Sequence, residues 1–223
     1  MTRATLQNAL RWIGAGLVAA WLTGCATAPA HDYSAYRAAN PKSILVLPPL
    51  NQSPEVQATA SVLSHATLPL AESGYYVVPV TLMSETFRQN GLELAADIHD
   101  VAPEKLQEIF GADTALYINV TDYGVRYRVI ASEALVTAQA RLVDLRTGTE
   151  LWRGQARASS EEGKNNSGGL AGMLISALVN QIANSLTDAS HPVAGLAARR
   201  MLTAGQPNGL LYGPRSPLYT QPQ

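Results

Sequence analysis

The sequence predicts an α/β fold, an α+β sandwich in which a small mixed sheet of about five strands carries helices packed on it. Three observations predict it. Residues 42–47 (KSILVL) form a short apolar run stopped by Pro48-Pro49, which cannot donate to a ladder, so they read as a buried first strand. Downstream, apolar residues recur at helical spacing on both sides of a second short run, 75–80 (YYVVPV). From Ala115 the period changes to two, the mark of antiparallel strands with one face buried.

The first 24 residues stand outside that fold. Arg3 and Arg11 put positive charge ahead of a short apolar stretch, 13–22, and no acid precedes Cys25. A membrane span needs roughly 20 apolar residues, whereas a signal-peptide core needs about 7–15. Residues 1–24 therefore read as an export signal. Leu22-Thr23-Gly24-Cys25 resembles the lipobox of bacterial lipoproteins. The resemblance implies cleavage between Gly24 and Cys25, a diacylglycerol on the Cys25 thiol and acylation of the freed amine. One myristoyl chain binds a membrane only marginally, at about 0.8 kcal/mol per buried methylene, while two or three chains hold it effectively for good. Ala26 stands where an aspartate would resemble an inner-membrane retention signal. An outer-membrane anchor is expected, with the domain facing the periplasm.

Cleavage removes 24 of 223 residues and leaves 199, enough for one domain with tails. It takes two arginines and no acid, so 14 basic residues face 17 acidic ones, a net charge of −3. No basic excess exists to neutralise nucleic-acid phosphates. Cys25 is the single cysteine, which excludes a disulfide, a cysteine nucleophile and a zinc–thiolate site in the mature domain.

Residues 25–40 read as a flexible tether, about 50 Å at full stretch and about 20 Å as coil. The periplasmic domain spans 41–188. After the first strand, Ser53-Pro54-Glu55 has the chemistry of a helix start. Val56, Ala60, Leu63, Thr67 and Leu70 then form the inward face, His65 lies exposed opposite, Pro69 kinks or ends the helix, and Gly74 closes it. The run 75–80 is a second strand, which Pro79 puts either at a sheet edge or at its own end. Thr81 caps a short helix to Gln89, with Asn90-Gly91 as its stop. His99-Asp100 reads as loop polarity. Pro103 opens a helix through Phe110 with Leu106, Ile109 and Phe110 inward. Leu116, Ile118 and Val120 alternate with polar neighbours, and Ala134, Val136, Ala138, Ala140 and Leu142 repeat the pattern. Residues 144–150 (DLRTGTE) turn at Thr147-Gly148 into a strand over 151–158, Gly148 supplying the positive φ of the hairpin.

Residues 161–169 are polar and glycine-rich, a mobile loop. Residues 170–187 carry no charge and read as a core helix across the sheet, since Asn180, Gln181 and Asn184 make a membrane span costly. Its back face of small residues, Gly172 and Ser176 among them, is open to a second subunit or to the tail. Residues 189–223 hold a helix capped by Ser190 and ended at Gly205, then a Pro/Gly-rich tail. The stretch 210–219 (LLYGPRSPLY) is too apolar for a solvated linker. It is either strapped onto its own domain or docked on a partner, with the strap preferred. Tyr212, Gly213, Pro214 and Arg215, with Gly172 and Ser176, are the candidate partner-binding residues.

Catalytic chemistry leaves no trace. GxSxG, HExxH, GxxxxGK and paired cysteines are missing, and His31-Asp32 reads as a solvated pair rather than a ligand pair. No cofactor and no metal are expected, and the chain does not read as an enzyme.

Two stretches, 42–53 (KSILVLPPLNQS) and 142–154 (LVDLRTGTELWRG), resemble the small α/β domain shared by CsgG-type secretion lipoproteins, LpoB-type synthase activators and the N-terminal domain of TolB. With the lipobox and the closing LLYGPRSPLY, the mature chain resembles the bacterial lipoprotein family called domain of unknown function 799. The resemblance implies fold and location, and no activity. The expectation is a non-enzymatic, lipid-anchored outer-membrane protein that binds envelope or secretion proteins, CsgG-like ones included, and assists assembly or export of a surface structure. A homo-oligomer is compatible with it, and nucleic acid is not a partner. A peptidoglycan-synthase activator and a cryptic envelope hydrolase are the alternatives.

Overall fold

Pairing runs β3-β1-β4-β5-β6, with a further short strand, β2, on β4. The structure is a computed structural model and describes residues 31–127, 132–162 and 188–220. In chain order the elements are α1 (Ser34–Ala39), β1 (Ser43–Val46), β2 (Leu50–Asn51), α2 (Ala58–Glu72), β3 (Tyr76–Val77), α3 (Val80–Gln89), α4 (Ala95–His99), α5 (Pro103–Phe110), β4 (Thr114–Tyr127), β5 (Ser132–Asp144), β6 (Glu150–Ser159) and α6 (Ser190–Leu202). β1 is parallel to both β3 and β4, while β4, β5 and β6 are antiparallel. The sheet is mixed, as the sequence predicts.

β1 is buried from Ile44 to Val46 and β4 from Thr114 to Ile118, because both faces of these central strands are covered. In β5 the residues Ala134 to Leu142 of one alternation are buried while Gln139 and Arg141 are exposed, so that part of the sheet is covered on one face only. α6 packs on β5 and β6, and it therefore lies on the buried face. α4 lies on the other side at β4, where the His99 ring stands edge-on to Tyr117 at 5.1 Å. Asp113 locks the two central strands together: its Oδ2 accepts the N–H groups of Lys42 (2.8 Å) and Ser43 (3.1 Å) and the Ser43 hydroxyl (3.0 Å).

The hairpin and the Pro103–Phe110 helix stand where the sequence puts them, and Gly148 has φ +68°. Other elements differ. α2 starts at Ala58 rather than at Ser53, because Asn51 captures the residue expected to cap it. Asn51 Oδ1 accepts the Ser53 N–H (2.8 Å) and the Ser53 hydroxyl (2.7 Å), and Asn51 Nδ2 donates to the Glu55 carbonyl (2.8 Å). The shift rotates the inward face to Ala58, Val62, Ala66, Pro69 and Leu70, leaving Val56 89% exposed. It also brings His65 against α6, with its ring 4.3 Å from that of His191, instead of into solvent. Pro69 sits within the last turn, and the helix runs on to Glu72.

His99-Asp100 closes a short helix, and His99 Nε2 lies 2.9 Å from the Pro48 carbonyl. Ile109 points outward at 42% exposure, while Phe110 leans on Phe87 with 5.2 Å between rings. Ser190 is the first residue of α6 rather than its cap, since Asp188 Oδ1 accepts the Ser190 N–H at 2.9 Å. The tether reading of 25–40 is shortened from its far end, where α1 forms and Tyr36 enters the core at 2% exposure. The expected loop at 163–169 and core helix at 170–187 lie outside the described residues, Gly172 and Ser176 with them, as do Gly24 and Cys25.

Candidate functional site

A cleft of about 260 Å³ opens between α1 and the segment that follows α6. Five tyrosines line it: Tyr33 and Tyr36 from α1 and its start, Tyr75 from the end of α2, and Tyr212 and Tyr219 from the tail. Its position follows from the way the tail is tied down. Beyond Gly205 the chain crosses the end of α2, where Gly213 N–H donates to the Ser73 carbonyl (2.8 Å) and Arg215 N–H to the Gly74 carbonyl (3.1 Å). Only glycines allow that crossing. Gly74 has φ +95°, a Cβ there would stand 2.4 Å from the Ser216 nitrogen, and one on Gly213 would stand 2.6 Å from the Gly74 carbonyl oxygen. Leu210 is buried, and the Trp152 indole N–H donates to the Asn208 carbonyl at 2.9 Å. The tail is strapped onto its own domain.

The tyrosines tie the strap to α1. Tyr75 donates to the Leu211 carbonyl at 2.7 Å, so the 2.7 Å contact between the Tyr36 and Tyr75 hydroxyls has Tyr36 as donor. Tyr33 donates to the Gly209 carbonyl at 2.5 Å and Tyr219 to Asn40 Oδ1 at 2.6 Å. Asn40 takes φ +42° to end α1 and turns its amide toward the tail. Burial, above all, pushes the Tyr75 phenol up to about 12 and the Tyr36 phenol well above its ordinary value, and burial raises Tyr33 despite the nearby Arg37 charge. These phenols are neutral hydrogen-bonding groups at any physiological pH. Arg37 lies exposed at the rim, 5.9 Å from the centre of the Tyr33 ring. No acid, histidine or thiol is among the lining residues. The cleft therefore offers aromatic faces, hydroxyls, backbone groups and one cation.

Of the predicted tail residues, Tyr212 lines the cleft, Gly213 is buried at the crossing and Pro214 is half-buried beside it. Arg215 is exposed with its guanidinium 5.3 Å over the Tyr76 ring. Tyr33, Tyr36, Arg37, Tyr75 and Tyr219 were not legible as a site. The i, i+3 spacing of Tyr33 and Tyr36 and the Asn40-Pro41 stop are the signal that would have shown a helix in the tether.

The histidines lie elsewhere. The Ser61 hydroxyl meets His191 Nδ1 at 2.8 Å, and Tyr123 donates to Asp188 nearby, at the α2–α6 contact. Burial lowers the pKa of His65, helped by His191, and burial likewise lowers that of His99. Among the described residues no group of three or more acids, histidines or cysteines is placed to hold a metal, and no helix is long and apolar enough to cross a membrane.

Comparison with known proteins places this architecture. Residues 31–215 match the family described as "Putative lipoprotein GNA1162-like". The "Putative lipoprotein NMB1124/NMB1162" of Neisseria meningitidis serogroup B is 54% identical over 189 residues, covering 84% of this chain and 87% of that one. The crystal structure of lipoprotein GNA1162 from Neisseria meningitidis is similar at a TM-score of 0.54 and 56% identity, over 65% of this chain and 100% of that chain. The C-terminal domain of LpoB from Salmonella enterica gives a TM-score of 0.39 at 20% identity, over 53% of this chain and 82% of that one, which says nothing about activity. Matched over most of its length by both family and relative, the chain belongs to the GNA1162-like lipoproteins, a family named for proteins that lipid holds to a membrane.

Proposed function

We propose that this protein is a non-enzymatic docking lipoprotein, held by lipid on Cys25 at the periplasmic face of the outer membrane, which binds an envelope protein in assembly or export of a surface structure. The observation that carries the reading is the tyrosine-lined cleft. Tyrosine supplies large, rigid contact area at low entropic cost and is enriched where binding energy concentrates. The lining residues hold no group able to transfer a proton near neutral pH, so the cleft fits binding better than hydrolysis. An extended peptide suits it, because the cleft sets aromatic side chains beside the exposed Arg37 cation and the exposed Leu218.

A photo-crosslinking residue at Leu218, which lines the cleft and is 61% exposed, tests this in the intact cell envelope. The expected result is a discrete adduct with an envelope protein that Arg37→Ala weakens and that a crosslinker at Leu94 does not form. The same adducts from Leu94 as from Leu218, or none from Leu218, would overturn the reading.

A further inference from the structure

We infer that the open face of β5 and β6 is a binding surface for an acidic polysaccharide. The register places Arg141 directly opposite Arg153, Gln139 opposite Gln155 and Thr137 opposite Arg157. All three arginines and both glutamines are exposed. Like charges on directly opposed strand positions are destabilising, and an ordinary solvated face intersperses the two signs. Here the chain, acidic overall by one charge, gathers cations instead.

The acids nearby neutralise one of the three arginines, Arg153, and leave the charges of Arg141 and Arg157. Asp122 pairs with Arg126, Glu150 pairs with Arg153 at 2.8 Å, and Glu133 accepts the Ser159 hydroxyl at 2.6 Å. Among the described residues no carboxylate pairs with Arg141 or Arg157. Arg141 is held in place, its guanidinium 4.1 Å over the Tyr117 ring, so little freedom remains to be lost when it binds. Arg157 sits four strand positions along, about 13 Å away at the rise of a β-strand. Gln139 and Gln155 stand side by side between the two charges.

That pattern selects the class of ligand. Amide side chains donate and accept at once, as sugar hydroxyls do, and guanidinium forks match carboxylates. The spacing suits an oligosaccharide carrying separated acids rather than one small anion. A protein partner would need an apolar centre to the patch, and Tyr117, the one aromatic residue in these rows, is covered by His99 and Arg141. A membrane surface would need exposed apolar anchors, which β5 and β6 do not present on this face.

The test is affinity electrophoresis of the full lipidated chain in neutral detergent through gels containing polygalacturonate, dextran or polyglutamate. Retardation is expected from polygalacturonate alone, and added salt should weaken it. The R141Q/R157Q double variant should lose at least about tenfold in affinity, whereas R88Q, on an exposed helix, should lose none. No retardation by polygalacturonate, equal retardation by polyglutamate, or equal loss in R88Q would overturn the inference. Binding of the unsubstituted chain to phosphatidylglycerol vesicles that the double variant abolishes, without retardation by polygalacturonate, would assign the face to a membrane instead.

Discussion

At the scale of single residues, the strap depends on two glycines pressed together. Gly74→Ala puts a methyl group 2.4 Å from the Ser216 backbone at a φ that L side chains rarely adopt. The expected cost is more than about 1 kcal/mol, and it falls on the strap first. Limited proteolysis should cut the variant beyond Gly205 at concentrations that leave the unsubstituted protein intact. A second residue-scale effect concerns pH. His65 and His99 both have depressed pKa values in the folded state. The unfolded chain therefore binds protons first as pH falls below the ordinary histidine value of about 6.5. Stability is full above that value and is lost as pH falls through the lowered folded values. Urea midpoints should drop between pH 7.5 and pH 5.5, and His65→Gln should flatten part of that drop. A midpoint that rises toward pH 5.5 would contradict the burial of these rings.

At the scale of elements, the β5–β6 hairpin rests on Asp144 as much as on Gly148. Asp144 is buried, and its Oδ1 accepts the N–H groups of Arg146 (2.9 Å) and Thr147 (3.0 Å) and the Thr147 hydroxyl (3.1 Å). Asp144→Ala leaves those donors without their acceptor and should cost about 1–3 kcal/mol. Asp144→Asn keeps the accepting oxygen and should cost less, as urea denaturation would show. This hairpin was legible in the sequence because its determinants are local: a positive-φ glycine and an alternation of two. The α5 helix was legible for the same reason, with Pro103 at its first position and Gly111 in the left-handed region after it. The start of α2 was not, because its outcome depends on Asn51 taking the Ser53 hydroxyl away from the helix. The two-residue β2 was missed as well, being too short to leave a pattern of its own. His65 was misplaced with the α2 register, and α1 was hidden by the composition around it.

At the scale of the whole molecule, the cleft could not be seen in sequence at all. Its walls come from positions about 180 residues apart, joined by Tyr33 on the Gly209 carbonyl and Tyr219 on Asn40. LLYGPRSPLY is too apolar to be left in water, which marks the tail as packed without fixing which tyrosines it meets. Residues near positions 33 and 219 thus build one site, and the lipid proposed on Cys25, at the start of the tether, would hold that site within a few tens of ångströms of the membrane.

Docking depends on that coupling of anchor and cleft, and one measurement reaches both. Crosslinking from Leu218 in cells carrying Cys25→Ser should give no envelope-protein adduct, although the purified variant domain keeps the urea midpoint of the lipidated protein. An undiminished adduct from the cysteine-free protein would contradict the account, since docking would then owe nothing to the lipid.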